Sequence, residues 1–531
     1  MRPPGPVRSL LSGALALLIA GCATSPQPSA EIFRPALDQQ QPPPLRGPAE
    51  AGTRAALDRI AALNPLLRAV IATDPSAIEQ ARNVDSLNLS GPLAGKPVLI
   101  KDNIEVAGAL PTTAGSLALL GNITNRDAPV VARLRSAGAV ILGKSNLSEW
   151  ANFRSSNSLS GWSAVGGQAL NPYALDRNPC GSSSGSATAV ASGMVRLAIG
   201  TETDGSVTCP AAINGVVGMK PTIGLVSRTH IIPISASQDT AGPLAASVRE
   251  AADLLTAIAG SDPADPATRD ADLRKSDFAA ALDPNALAGK RIGVLRFASG
   301  FGTDRPFERA LAILRESGAV LVEIDKVEDF DEDAVGFNEF QVLLAEFKHG
   351  LNAYLATTPG TVATRTLADL IAFNRANHAL EMGLFGQDIF EKAQRTKGLA
   401  DPAYKKARRA SFTAASGAID GLLEGQGLVA LVGPTVSPAW KIDPVNGDQV
   451  PGSGAGNLAA VAGYPHLTVP MGMVKGLPVG LSFIGPKWSD SLILALGYAY
   501  EQARGPFPAP GFLPAIEITA EIAPLLEPQA R

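Results

Sequence analysis

Two clusters of serine and glycine stand close together in a chain of 531 residues: Gly181-Ser182-Ser183-Ser184-Gly185-Ser186 and Thr203-Asp204-Gly205-Ser206. Glycine lets backbone approach a ligand, and successive N–H groups left free in a turn form a concavity that binds an anion. A serine hydroxyl in that setting can attack a carbonyl carbon while those N–H groups receive the developing oxyanion. A Gly/Ser cluster on its own reads as a flexible turn or linker. These two sit inside long apolar segments, and the run between them reads as an Ala-rich helix followed by a strand, Val195–Ile199. A linker does not alternate with a core helix and strand.

Gly181-Ser182-Ser183-Ser184-Gly185 also satisfies G-x-S-x-G, the nucleophile elbow of α/β-hydrolases. That elbow needs a strand directly before it, whereas Asn171 to Pro179 reads as a loop. The four histidines (His230, His349, His378 and His466) fall in no triad motif, and His466 alone is kept as an alternative base.

The stretch Cys180–Arg228 resembles the amidase signature family. That family carries a Gly/Ser block, a second Gly-Ser block about two dozen residues later, and a Gly-x-Lys-Pro-Thr-x-Gly segment. Here these are Gly181 to Ser186, Asp204-Gly205-Ser206 and Gly218-Met219-Lys220-Pro221-Thr222-Ile223-Gly224. The resemblance implies a nucleophile at Ser206, a bridging serine after a cis peptide bond at Ser182, and a base lysine in a strand ending Lys-Asp-Asn. Val98-Leu99-Ile100-Lys101-Asp102-Asn103 fits the last, so Lys101 is the candidate base. The backbone N–H groups of Thr203, Asp204, Gly205 and Ser206 would form the oxyanion hole.

Two positions depart from the pattern: Ser184 and Asp204 stand where the family has glycine. With Cys180 and Thr208-Cys209-Pro210, these variants resemble the peptide amidase branch. The implied activity is hydrolysis of an amide C–N bond in a small molecule or peptide, with no cofactor. A general amidase is the second reading. A third is a non-catalytic binding lipoprotein on the same scaffold; such a chain would be expected to have lost Lys101, Ser182 or Ser206, and it keeps all three. An amidotransferase subunit working on charged tRNA is disfavoured by the export signal described next.

The elements that must position these residues are legible in outline. The chain is 46% hydrophobic with a formal net charge of −4 and no basic patch, which excludes a nucleic-acid binder. Residues 1–21 read as a lipoprotein signal peptide: Arg2 and Arg8, an apolar run from Leu10 to Ala20, and Leu18-Ile19-Ala20-Gly21-Cys22. Cys22 is the expected lipidated residue, which would anchor the enzyme domain to a bacterial membrane, in the periplasm or at the cell surface. Ala23 is not Asp, so nothing assigns the anchor to the inner membrane. Residues 22–48, rich in Pro and Gln, form a tether; 49–504 form the amidase signature domain; 505–531 form a Pro-rich tail.

Within the domain, helices are expected at Ala49–Leu63, Ala77–Arg82, Ala128–Ala137, Ala245–Ile258 and Phe307–Ser317, and through most of Phe340–Gly425. Strands are expected at Leu93–Lys101, Ala139–Leu142, Lys290–Phe297, Ala319–Ile324 and Leu428–Val432, and in two segments near 463–470 and 476–485. This alternation means an α/β fold. With the resemblance, it gives a large mixed β-sheet covered by helices on both faces. Phe340, Leu343, Leu344, Phe347 and Leu351 recur at helical spacing and read as core. No spacing of His, Cys and carboxylates suits a metal. Cys180 and Cys209 flank the serine clusters; whether they pair is left open, since sequence does not give their Cα separation.

Overall fold

Lys101 ends a strand that is apolar up to that residue, and the sheet is built outward from it. The structure, a computed structural model, describes residues 47–328, 330–452 and 454–527. The export segment, Cys22 and the tether up to Arg46 lie outside them. In chain order the first elements are α1 (Pro48–Leu67), β1 (Val70–Thr73), α2 (Ala77–Ser86), β2 (Pro97–Lys101), α3 (Pro129–Ser136) and β3 (Val140–Ser145). A two-stranded ribbon follows, β4 (Trp162–Ser163) with β5 (Gly167–Gln168), then α4 (Ser184–Ala191), β6 (Leu197–Glu202), α5 (Thr208–Ile213), β7 (Val217–Lys220), β8 (Thr240–Ala245) and α6 (Val248–Ile258). The remaining strands are β9 (Arg291–Leu295), β10 (Val320–Ile324), β11 (Ala430–Pro434), β12 (His466–Val474) and β13 (Leu477–Ile484).

Eleven of these strands form one sheet in the order β1-β3-β2-β6-β8-β7-β12-β13-β11-β9-β10. It is mixed, as expected: β2 runs parallel to β3 and β6, while β8 runs antiparallel to β6 and β7. Side chains along β2 alternate between two cores. Val98 and Ile100 pack into the core shared with α3 and α6, whereas Leu99 packs into the core shared with α1, α2 and α4. Side chains two apart share a face of a strand, so Lys101 falls on the Leu99 face, the one α4 covers. Both faces are buried, as a strand with two parallel neighbours requires.

Several boundaries differ from expectation for identifiable reasons. The strand expected from Leu93 begins at Pro97, because Gly91 to Gly95 forms turns, with Gly95 at φ +71°. The strand expected at Val195–Ile199 runs instead from Leu197 to Glu202. The helix expected from Ala245 starts at Val248: Ser247 caps it by accepting Glu250 N–H, and Ala245 belongs to β8. Strand β8 was not legible, since Thr-Ala-Gly-Pro-Leu-Ala carries two residues that strands disfavour.

The middle stretch is helical, with helices over Glu332–Leu355, Leu367–Ala376, Asp388–Gln394 and Pro402–Gln426 among others. Leu344, Phe347 and Leu351 are core as expected, packed with Trp150, Phe153 and Phe390. The C-terminal Pro-rich stretch, as far as Glu527, lies along the body: Leu513 O accepts Leu175 N–H at 2.8 Å, and Arg177 pairs with Glu517 at 2.6 Å. No helix of the described residues is long and apolar enough to cross a membrane.

Candidate active site

Three segments converge at the carboxyl ends of β2 and β6. Lys101 is fully buried. Its Nζ lies 2.7 Å from Ser182 Oγ, 2.9 Å from Thr201 Oγ1 and 3.2 Å from Thr201 O. A carbonyl oxygen can only accept, so one Nζ–H is committed to Thr201 O. Thr201 Oγ1 also accepts from Asn103 Nδ2 at 2.9 Å. A neutral amine holding those two contacts keeps its lone pair for the Ser182 hydroxyl. Burial is the main cause pulling the Lys101 pKa down to about 7, and the negative charges of Glu202 and Asp239 oppose it.

Ser182 follows a cis Gly181–Ser182 peptide bond, where the resemblance places one. Its carbonyl accepts Ser148 N–H at 3.1 Å. The next residue ties the two clusters together: Ser183 N–H donates to Ser206 O at 3.1 Å, and Ser183 Oγ donates to Thr201 O at 3.1 Å. Ser206 is 7% exposed, and its hydroxyl makes no hydrogen bond to protein among the described residues. The structure therefore brings Lys101 and Ser182 into side-chain contact and joins Ser206 to them through the backbone of Ser183.

The loop Thr203–Ser206 lies between the end of β6 and the start of α5. Among the described residues, none of its four N–H groups donates to a protein acceptor. Gly205 sits at φ +72°, a conformation glycine adopts without strain. Both ends of the loop are pinned by carboxylates. Glu202 Oε2 accepts Val207 N–H at 2.7 Å and Thr208 N–H at 2.9 Å, satisfying the first turn of α5. Asp239 Oδ1 accepts from Thr203 Oγ1 at 2.6 Å.

The two departures from the family pattern have local explanations. Ser184 Oγ donates to Cys180 O at 2.6 Å. Gly185 has no such latitude: a Cβ there would lie 2.2 Å from Ala69 O and 2.6 Å from Asn146 N. Asp204 lies in a recess open to solvent, where Asn457 Nδ2 donates to it at 2.7 Å. The same Asn457 amide reaches Glu339 at 3.2 Å.

Cys180 and Cys209 form a disulfide with Cα atoms 6.1 Å apart, closing the question the sequence left open. It joins the residue before Gly181 to the second residue of α5 and so brackets both serine clusters. No strand leads directly into Gly181, only isolated bridges at Ala174 and Arg177, so the α/β-hydrolase elbow is absent. His466 is fully buried on β12 with Nε2 2.7 Å from Ser482 Oγ, and burial takes its pKa down to about 3. Among the described residues no group of His, Cys, Asp and Glu could hold a metal ion. Thr201, Glu202 and Asp239 were not singled out from sequence. The signal available was the polar end Thr201-Glu202 on an otherwise apolar strand.

The family model for amidases matches residues 51–494. The chain belongs to the amidase signature family. It is 39% identical over 459 residues to a probable amidase of Arabidopsis thaliana, covering 84% of this chain and 85% of that one. Among solved structures, it is similar to the native peptide amidase of Stenotrophomonas maltophilia, at 51% identity, with TM-score 0.81 and coverage of 87% and 95% of the two chains. A peptide amidase in complex with the competitive inhibitor chymostatin matches at 52% identity and TM-score 0.83, with the same coverage. The protein is an amide-hydrolysing enzyme, and the reading as a non-catalytic binding protein is set aside.

Proposed function

We propose that this amidase is a peptide amidase that releases ammonia from C-terminal peptide amides by a Ser-Ser-Lys relay. The observation that carries the relay is the 2.7 Å contact between Lys101 Nζ and Ser182 Oγ, one residue from the Ser183–Ser206 backbone bond. Ser206 Oγ attacks the amide carbonyl carbon. Its proton passes to Ser182 Oγ as the Ser182 proton passes to the neutral Lys101 amine. The N–H groups of Thr203, Asp204, Gly205 and Ser206 receive the oxyanion. The C–N bond then breaks as the proton returns through Ser182 to the leaving nitrogen, which departs as ammonia. Water enters, the same relay takes its proton, and hydrolysis of the ester on Ser206 yields the carboxylate and the free serine.

Likeness to the peptide amidases supports the substrate class, and the four N–H groups of Thr203 to Ser206, which donate to no protein acceptor among the described residues, support the chemistry. Export and lipidation at Cys22 complete the reading and rest on the sequence of residues 1–22. They place the enzyme on a bacterial membrane, in the periplasm or at the cell surface. The Cys180–Cys209 disulfide agrees with an oxidising compartment.

The test is ammonia release by the purified protein from peptide amides, aryl amides and free amino-acid amides. Highest kcat/KM on peptide amides is expected. Equal or higher values on aryl amides would make it a general amidase.

A further inference from the structure

Lys101 and the oxyanion loop flank β6, the strand between β2 and β8. On the β8 side, directly before Thr240, stands Asp239, a half-buried carboxylate that the relay does not use. It accepts three hydrogen bonds: Thr203 Oγ1 at 2.6 Å on Oδ1, and Ile234 N–H at 2.9 Å and Ser235 N–H at 2.8 Å on Oδ2. Thr203 is the first residue of the oxyanion loop, and Thr201, two residues earlier, holds Lys101. Asp239, Thr203, Thr201 and Asn103 line one cavity of about 370 Å³, on the flank of the Lys101 contacts.

We propose that Asp239 is a positioning residue for amide hydrolysis: it anchors the oxyanion loop through Thr203 and supplies negative charge that steadies the Lys101 ammonium. One carboxylate thereby couples the geometry of the oxyanion donors to the protonation state of the base. This rests on Lys101 being that base.

The charged groups around Asp239 come from several elements. They are Lys101 on β2 with Glu202 of β6 beside it, Arg228 with its partner Asp265, and Glu346 on the Glu332–Leu355 helix, which binds Ser235 and Ser237. Asp239 itself ionises at about 6, raised first by burial and held down by Thr203, the two backbone donors and Arg228. Above that pH it is an anion, and an anion beside a buried ammonium raises the lysine pKa. Removing it must lower the Lys101 pKa, so the acid limb of activity moves to lower pH.

The experiment measures kcat, KM and the pH dependence of kcat/KM on a peptide amide for the full chain and four variants. In Asp239→Asn, kcat falls about tenfold or more from loss of loop geometry, and the acid limb moves down by about one pH unit. In Thr203→Val, kcat falls while the acid limb stays in place, because the carboxylate remains. In Asp239→Glu the charge is kept and the limb stays near wild type. An acid limb at its wild-type position in folded Asp239→Asn overturns the proposal. If that variant does not fold, unchanged kcat in Thr203→Val overturns it. Lys101→Ala is run alongside: wild-type activity there defeats the base assignment itself, whereas loss there with an unaffected Asp239→Asn profile defeats only this inference.

Discussion

A lysine can accept a proton only when uncharged, so in the proposed relay the environment of Lys101 decides the pH range of the enzyme. Free lysine titrates near ~10.4; here burial brings the side chain down to about 7. Above that value the amine is neutral and available to Ser182; below it the ammonium blocks the relay. The acid limb of kcat/KM is therefore expected near pH 7, and a limb near the carboxylate range would point to another group. Lys101→Ala should cost about 10²–10⁴-fold in kcat, the range for a general base. Lys101→Arg should not restore activity, because arginine stays protonated. Wild-type-like rates in Lys101→Arg would make the residue electrostatic only. The residues most legible in the sequence were those of the proposed relay, since Lys101, Ser182 and Ser206 sit in dense local motifs. Asp239 was not legible, because it reaches the site only through the pairing of β8 with β6, which no local spacing displays.

At the scale of elements, the site depends on close packing of α4 and on the covalent bracket around the serines. Gly185 sits where a Cβ would press on Ala69 O and Asn146 N, both backbone atoms that cannot swing aside. Gly185→Ala is expected to lower stability by about 1–3 kcal/mol through overpacking and to lower kcat with it, since α4 begins two residues after Ser182. A melting temperature equal to wild type would contradict this. The Cys180–Cys209 disulfide closes a loop with a sequence separation of 29. Replacing both cysteines with serine should cost about 3–4 kcal/mol on the chain-entropy estimate, read as a lower urea midpoint; an unchanged midpoint would mean the bond constrains nothing. Elements with a strong period, such as α1, α3 and the Asp304–Glu316 helix, were readable within a few residues. Strand β8 was not, because Gly242 and Pro243 hide it. Gly242 is there because β7 passes so close that a Cβ would meet Met219 O at 2.1 Å.

At the scale of the whole molecule, the mixed sheet gathers Lys101 from the end of β2, Ser182 from the turn before α4 and Ser206 from the turn after β6, the three residues of the proposed relay. These segments span more than a hundred residues of sequence and meet only in the fold. The apolar alternation along the chain fixed the layer arrangement, while the order of eleven strands followed from long-range pairing that composition cannot reveal. The proposed export and anchoring are read directly by mass spectrometry of the mature N-terminus from bacterial membranes. Diacylglycerol on Cys22 is expected, and a free Cys22 thiol or cleavage elsewhere would leave an unanchored enzyme. The most direct test of the account is the mass of the protein after reaction with a serine-directed covalent reagent, with peptide mapping and turnover measured on the same samples. A single adduct on Ser206, absent together with turnover in a folded Ser206→Ala variant, is the predicted result. An adduct on another residue, or undiminished kcat in Ser206→Ala, would contradict it.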